Sequence, residues 1–221
     1  SAGVLIPFFT SYSFSEDESK LLLETETEPI YRRSKRAKYY GYDRATKKSN
    51  LLFGFKIQEP KFSPDGSKVA FVYNRNVFIK DLETDTIDQI TTDGSEHIIN
   101  GLTDWVYEEE FGFVRAFDWN VTGTALVFMQ FDETLVPTYS MDVIGKDLYP
   151  FPYTFKYPKA GENNSIVSLH LYDLSSKNLS EIKLGDEKPY YIPRIKFSPN
   201  KSKLIVQTIN RHQNHLKLWS Y

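Results

Sequence analysis

The stretch Phe62-Ser63-Pro64-Asp65-Gly66-Ser67-Lys68-Val69-Ala70-Phe71 decides the fold, because it holds a hairpin within ten residues and recurs along the chain. An aromatic residue ends one run, Pro-Asp-Gly supplies a turn, and Val69-Ala70-Phe71 opens a buried strand. A second copy is Phe14-Ser15-Glu16-Asp17-Glu18-Ser19-Lys20-Leu21-Leu22-Leu23. A third runs from Trp119 through Gly123 to Phe128, and a fourth from Phe197-Ser198-Pro199-Asn200 to Val206. The leading aromatics Phe14, Phe62, Trp119 and Phe197 are 48, 57 and 78 residues apart.

Working outward from the quoted copy, residues 55–63, 68–73, 77–82 and 87–91 read as four strands, joined at Pro64-Asp65-Gly66, Asn74-Arg75-Asn76 and Glu83-Thr84-Asp85. Four short antiparallel strands repeated every ~45–50 residues describe a propeller blade. The expected fold is therefore all-β: a partial β-propeller of about four four-stranded blades, with one short acidic helix and an extended arm. The chain reads as one domain, 1–221, with blades at 1–53, 54–99, 113–188 and 189–221. The last is incomplete, since only a third strand is reached at Leu216-Lys217-Leu218-Trp219. The longest interval between copies carries the arm, 133–164, with Pro137, Pro150, Pro152 and Pro158. A segment of that length is either an interaction element or a cover strapped over one blade edge.

Composition narrows the function. With 221 residues, 40% hydrophobic and 25% charged, the chain is an ordinary globular protein too short for a multidomain enzyme. Lys plus Arg (27) nearly cancels Asp plus Glu (29), so no global field favours nucleic acid or an anionic membrane. The absence of Cys removes disulfides and thiol catalysis together. No apolar run approaches the roughly 20 residues that span a bilayer. The opening Ser1-Ala2-Gly3 lacks an initiator Met, which suggests a processed or excised chain.

Two clusters stand out. Thr103-Asp104-Trp105-Val106-Tyr107-Glu108-Glu109-Glu110-Phe111-Gly112 reads as a short helix capped by Asp104 or Thr103 and stopped by Gly112 in the left-handed region. The bland reading is a solvated acidic turn. Against it, Trp105, Tyr107, Phe111 and Phe113 frame the carboxylates with low-dielectric surface, and adjacent like charges there are worth keeping if a cation comes to them. The second cluster, Tyr31-Arg32-Arg33-Ser34-Lys35-Arg36-Ala37-Lys38, carries five positive charges in eight residues. Strand alternation sends Arg32 and Ser34 to one face and Arg33 and Lys35 to the other, leaving one buried arginine to explain. Nucleic-acid binding is not expected there, for want of net positive charge or a matching motif. His212 and His215 fall in a hairpin tip, which disfavours a metal pair. No nucleophile elbow, dinucleotide loop, P-loop or zinc helix occurs, so the chain offers no catalytic residue, metal site or cofactor site.

The run Asn100-Gly101-Leu102-Thr103-Asp104-Trp105-Val106-Tyr107-Glu108-Glu109-Glu110 resembles the double-glutamate signature of the dipeptidyl peptidase IV family. Tyr31-Arg32-Arg33-Ser34 resembles that family's arginine segment, with Tyr31 in place of a tryptophan. Phe131-Asp132-Glu133, Val136-Pro137 and Tyr157-Pro158-Lys159-Ala160-Gly161 also match, in the family's order, and Phe111-Gly112-Phe113 is similar to bacterial members. The resemblance implies an eight-bladed propeller followed by an α/β-hydrolase domain with a Ser-Asp-His triad, this chain being about half of the propeller and inactive alone. It further implies that Glu109 and Glu110 bind the free N-terminal ammonium of a peptide, and that Arg32 steadies them and holds a substrate carbonyl. The parent is then a serine exopeptidase releasing X-Pro or X-Ala dipeptides, homodimeric, and periplasmic or on the cell surface. An open half-ring with bare edges is expected to self-associate. The alternatives are a non-catalytic propeller that binds a protein partner, or a related prolyl tripeptidyl or acylaminoacyl peptidase.

Overall fold

The computed structural model describes residue 6 and residues 8–185, 190–198 and 203–221. The first sheet is a meander of β1 (Ser11–Phe14), β2 (Lys20–Pro29), β3 (Lys35–Asp43) and β4 (Lys48–Leu51). The second repeats it with β5 (Gln58–Phe62), β6 (Lys68–Tyr73), β7 (Asn76–Asp81) and β8 (Ile87–Gln89). The third gathers β9 (Ile98–Asn100), β10 (Phe117–Trp119) and β11 (Ala125–Asp132). The chain then leaves to form the arm hairpin, β12 (Thr138–Val143) with β13 (Phe151–Lys156), and returns to the third sheet as β14 (Ile166–Asp173) and β15 (Asn178–Ile182). The fourth has three strands, β16 (Tyr190–Phe197), β17 (Leu204–Asn210) and β18 (Leu216–Ser220). Successive antiparallel meanders packed face to face make this part of a β-propeller, as the repeat predicts.

The repeat recurs because it encodes one hydrogen-bond cluster. Ser63 donates its N–H to the Lys68 carbonyl (2.8 Å) while its Oγ donates to Asp65 (2.5 Å) and accepts the Lys68 N–H (2.9 Å). Ser15, Asp17 and Lys20 repeat all three, at 2.9, 2.7 and 3.0 Å. In the third copy Asn120 Oδ1 alone accepts the N–H groups of Thr124 and Ala125 (2.9 and 3.0 Å). The fourth retains the Ser198 N–H bond to the Lys203 carbonyl, 2.7 Å. Its Pro199-Asn200 turn, the boundary at 188/189 and the opening tripeptide lie outside the described residues.

Between sheets the core is aliphatic and aromatic. Leu22, Ala37, Leu52, Ile57, Val69 and Phe71 join the first sheet to the second, and a larger cluster around Val72, Phe117, Phe128, Phe131, Ile192 and Val206 joins the second, third and fourth. Reciprocal backbone bonds between Ala37 and Ile57 (3.0 and 2.8 Å) stitch the first two sheets. A 2.5 Å Lys61–Asp118 ion pair and an Arg115–Glu59 pair at 3.1 Å span the next interface.

The acidic segment sits inside the third sheet rather than between the second and third. β9 and β10 lie end to end along the same side of β11, pairing with residues 130–132 and 126–128 respectively. Met129 between them accepts from the Gly101 N–H (2.9 Å) and donates to the Ala116 carbonyl (2.8 Å). The interrupted strand is thus continuous to its partner, and residues 101–116 loop out of it. Bonds between Gly101 and Ala116 (3.0 Å) and between Thr103 and Val114 (3.0 Å) close the neck. Gly101 is obligatory there: its φ is +73°, and a Cβ would come within 2.8 Å of Val77 Cγ2.

Candidate functional site

Within this excursion a single π-helical turn, Tyr107–Phe111, is closed by the Gly112 N–H on the Tyr107 carbonyl (3.1 Å), with Gly112 left-handed at φ 73°. Asp104 is the cap, since its Oδ1 accepts the Tyr107 N–H at 2.9 Å, whereas the Thr103 hydroxyl turns to the Phe113 carbonyl. The wider turn separates neighbouring side chains toward different sheets. Tyr107 packs edge-on against Phe131 of β11, and its hydroxyl accepts the Ile192 N–H of β16 at 2.8 Å. Glu108, 1% exposed, reaches the other way, where Oε1 accepts the N–H groups of Arg33 (2.6 Å) and Ser34 (2.8 Å).

That contact corrects the strand reading of the basic cluster. Residues 31–34 form the turn between β2 and β3, closed by the Ile30 N–H on the Ser34 carbonyl (2.8 Å) and the Tyr31 N–H on Ser34 Oγ (3.1 Å). No arginine is buried there. With the backbone drawn to Glu108, the Arg32 side chain is 73% exposed and its Nε lies 3.2 Å from Glu109 Oε2. Arg32 and Glu109, 77 positions apart, therefore meet, and Glu110, next in the chain, is exposed. The Glu109 side chain is 19% exposed, so the pair opens to water on its arginine side, and an ion pair exposed in that way adds little stability.

The arm supplies an aromatic wall. Phe155 lies 6.1 Å from Tyr31 and 6.3 Å from Trp105, and Tyr157 lies 4.5 Å from Trp105, centroid to centroid. One face of β13 thus touches both segments that carry the charged residues. Burial, reinforced by Tyr153 and Glu133, pushes the Tyr31 hydroxyl up to about 12.

Two further carboxyls are buried below. Asp104 takes the Ser165 hydroxyl on Oδ2 (2.5 Å), and burial raises its pKa. Glu133, 4% exposed, meets Arg75 Nη1 at 3.2 Å, and burial, with the charge of Asp104, brings it to about 7 despite Arg75. The roles of Glu108, Glu133, Arg75 and Ser165 escape a sequence reading. Glu108 was visible in the acidic run, but only the turn's geometry shows that it points inward; Arg75 and Ser165 carry no local signal. His212 and His215 lie in the β17–β18 turn, with the His215 N–H on Asn210 Oδ1 (3.0 Å).

Comparison with known proteins identifies the family. The pattern described as the dipeptidyl peptidase IV (DPP IV) N-terminal region matches residues 15–221. The chain belongs to that family. Among solved DPP IV-family structures, Porphyromonas gingivalis dipeptidyl peptidase 4 superposes with a TM-score of 0.93 at 44% identity, over 99% of this chain and 32% of that one. A probable dipeptidyl-aminopeptidase B of Pyrenophora teres is 30% identical over 92% of this chain and 25% of its own length. Human prolyl endopeptidase FAP is 34% identical over 74% of this chain and 22% of its own. The chain spans about a quarter of the curated DPP IV-family relatives it matches.

Proposed function

We propose that this chain is the part of a DPP IV-like serine exopeptidase that grips the free N-terminus of a peptide, Glu109 and Glu110 holding the ammonium and Arg32 receiving a substrate carbonyl. The observation that carries the reading is the Arg32–Glu109 pair at 3.2 Å, built by two remote segments and exposed on its arginine side. An enzyme that removes two residues must measure from the amine, and fixed carboxylates do so by charge-assisted hydrogen bonds. Arg32 offsets their charge when no substrate is bound, and its planar fork suits carboxylate and carbonyl alike.

In the full-length protein, Glu109→Gln and Glu110→Gln are each expected to cost on the order of 2–3 kcal/mol of transition-state binding, roughly a hundredfold in kcat/KM, on Ala-Pro-p-nitroanilide. The preference for a free over an acetylated amine should shrink with it. Unchanged kcat/KM in both variants refutes the reading. Self-association of the isolated 221-residue chain is proposed as well, through exposed Leu216, Leu218 and Tyr221 at one end and Phe9, Tyr12 and Phe14 at the other. A clean monomer at high concentration by light scattering would refute that.

A further inference from the structure

Both ends of the arm are tied down by buried acids. At the outgoing end Glu133 donates its N–H to the His97 carbonyl (2.7 Å), and its carboxylate meets Arg75, which also donates to the Glu96 carbonyl (2.7 Å). At the returning end Ser165 donates to Asp104, the residue that caps the acidic turn. The groups facing Glu133 come from four directions: Asp104 from the turn, Arg75 from the β6–β7 hairpin, Lys156 from β13 and Tyr31 from the β2–β3 turn. Beyond Tyr31 lie Glu108 and Tyr153. Glu133 therefore sits where the arm, the acidic turn and the arginine turn converge, without touching the open face that carries Arg32 and Glu109.

Building on the proposed grip, we propose that Glu133 is a positioning residue for N-terminus binding, its ionised carboxylate pairing with Arg75 to hold the arm and the Tyr31–Arg32 turn in the geometry that the peptide amine requires. Protonation removes the ion pair and relaxes the arm's root. Burial and Asp104 place that titration at about 7. Binding then weakens as pH falls through neutrality, opposite to the effect of the substrate amine, whose own protonation below about 8 favours binding.

The test is the competitive inhibition constant of the dipeptide Ala-Pro on the full-length protein between pH 6 and 9. At one unit below the midpoint about a tenth of Glu133 is ionised, so the constant should rise up to about tenfold from pH 8 to pH 6. In Glu133→Gln that acid limb should vanish, with binding at pH 8 near the wild-type value at pH 6. In Arg75→Gln, which removes the positive partner, the ion pair cannot form at any pH, so the limb should be lost there too. Fluorescence of Trp105, which packs on the arm, should follow the same midpoint and lose it in Glu133→Gln. A limb that persists in Glu133→Gln or in Arg75→Gln overturns the proposal, as does an equal loss at every pH. Failure of the grip itself reads differently, as unaltered Ala-Pro inhibition in Glu109→Gln.

Discussion

The repeated hairpin turns and the excursion at 101–116 both use carboxylates to hold backbone, yet they do so in opposite environments. Asp17 is solvent-exposed and bonded to Ser15 and Ser19 in its own turn, which holds it down to about 2. Asp65 is likewise lowered, hydrogen bonds from Ser63 and Ser67 outweighing its partial burial. In the excursion Asp104 is buried and pushed upward, as is Glu133 facing it from the root of the arm, and Glu108 spends both its hydrogen bonds on a segment 74 and 75 residues away. A turn made from local bonds can be copied wherever the chain needs a hairpin. One made from remote bonds ties separate sheets together, and it positions charge as it does so.

The sharpest way to break this contrast is Glu108→Ala. It orphans one buried and one partly buried N–H group and should destabilise the fold by about 3 kcal/mol; a melting temperature close to wild type would show that the remote tie is dispensable. Next comes pH. Because the folded-state pKa of Glu133 is raised from 4.5 to about 7, its contribution is fully present below 4.5 and is lost as pH rises through 7. That loss is about 3 kcal/mol, so Glu133→Gln should flatten the decline in melting temperature between pH 5 and pH 8. Asp17 runs the other way: its contribution is present above 3.8 and is lost as pH falls toward 2. Asp65→Ala, which breaks a local cluster only, should cost about 1 kcal/mol by thermal unfolding. Smallest is Glu18→Gly. Glu18 has φ 58° where the equivalent Gly66 and Gly123 have 66° and 68°, and relieving it should stabilise by about 0.5 kcal/mol.

The same contrast explains what the amino-acid order discloses. Strands β5 to β8 were legible because alternation and turn chemistry act within a few residues, and β6 spans the expected 68–73. The three-stranded fourth sheet followed from the same repeat. The glutamate and arginine segments were legible as unusual charge runs, and their resemblance to a known family named Glu109, Glu110 and Arg32. The inward turn of Glu108 and the exposure of Arg32 were not legible. Both depend on a contact between segments that no local period encodes, and alternation misleads where the chain bends after Ile30. The split of one strand into β9 and β10 was hidden too, since each half alone is only three residues long.

The neck of the excursion has a practical consequence. Because Gly101 and Ala116 both bond Met129, the sheet meets an unbroken strand whatever the intervening residues do. Register in β10 and β11 is thereby insulated from the length and composition of the loop. The neck is a natural splice point: a cassette bearing a different recognition element could be exchanged there while the blade that presents it keeps its pairing.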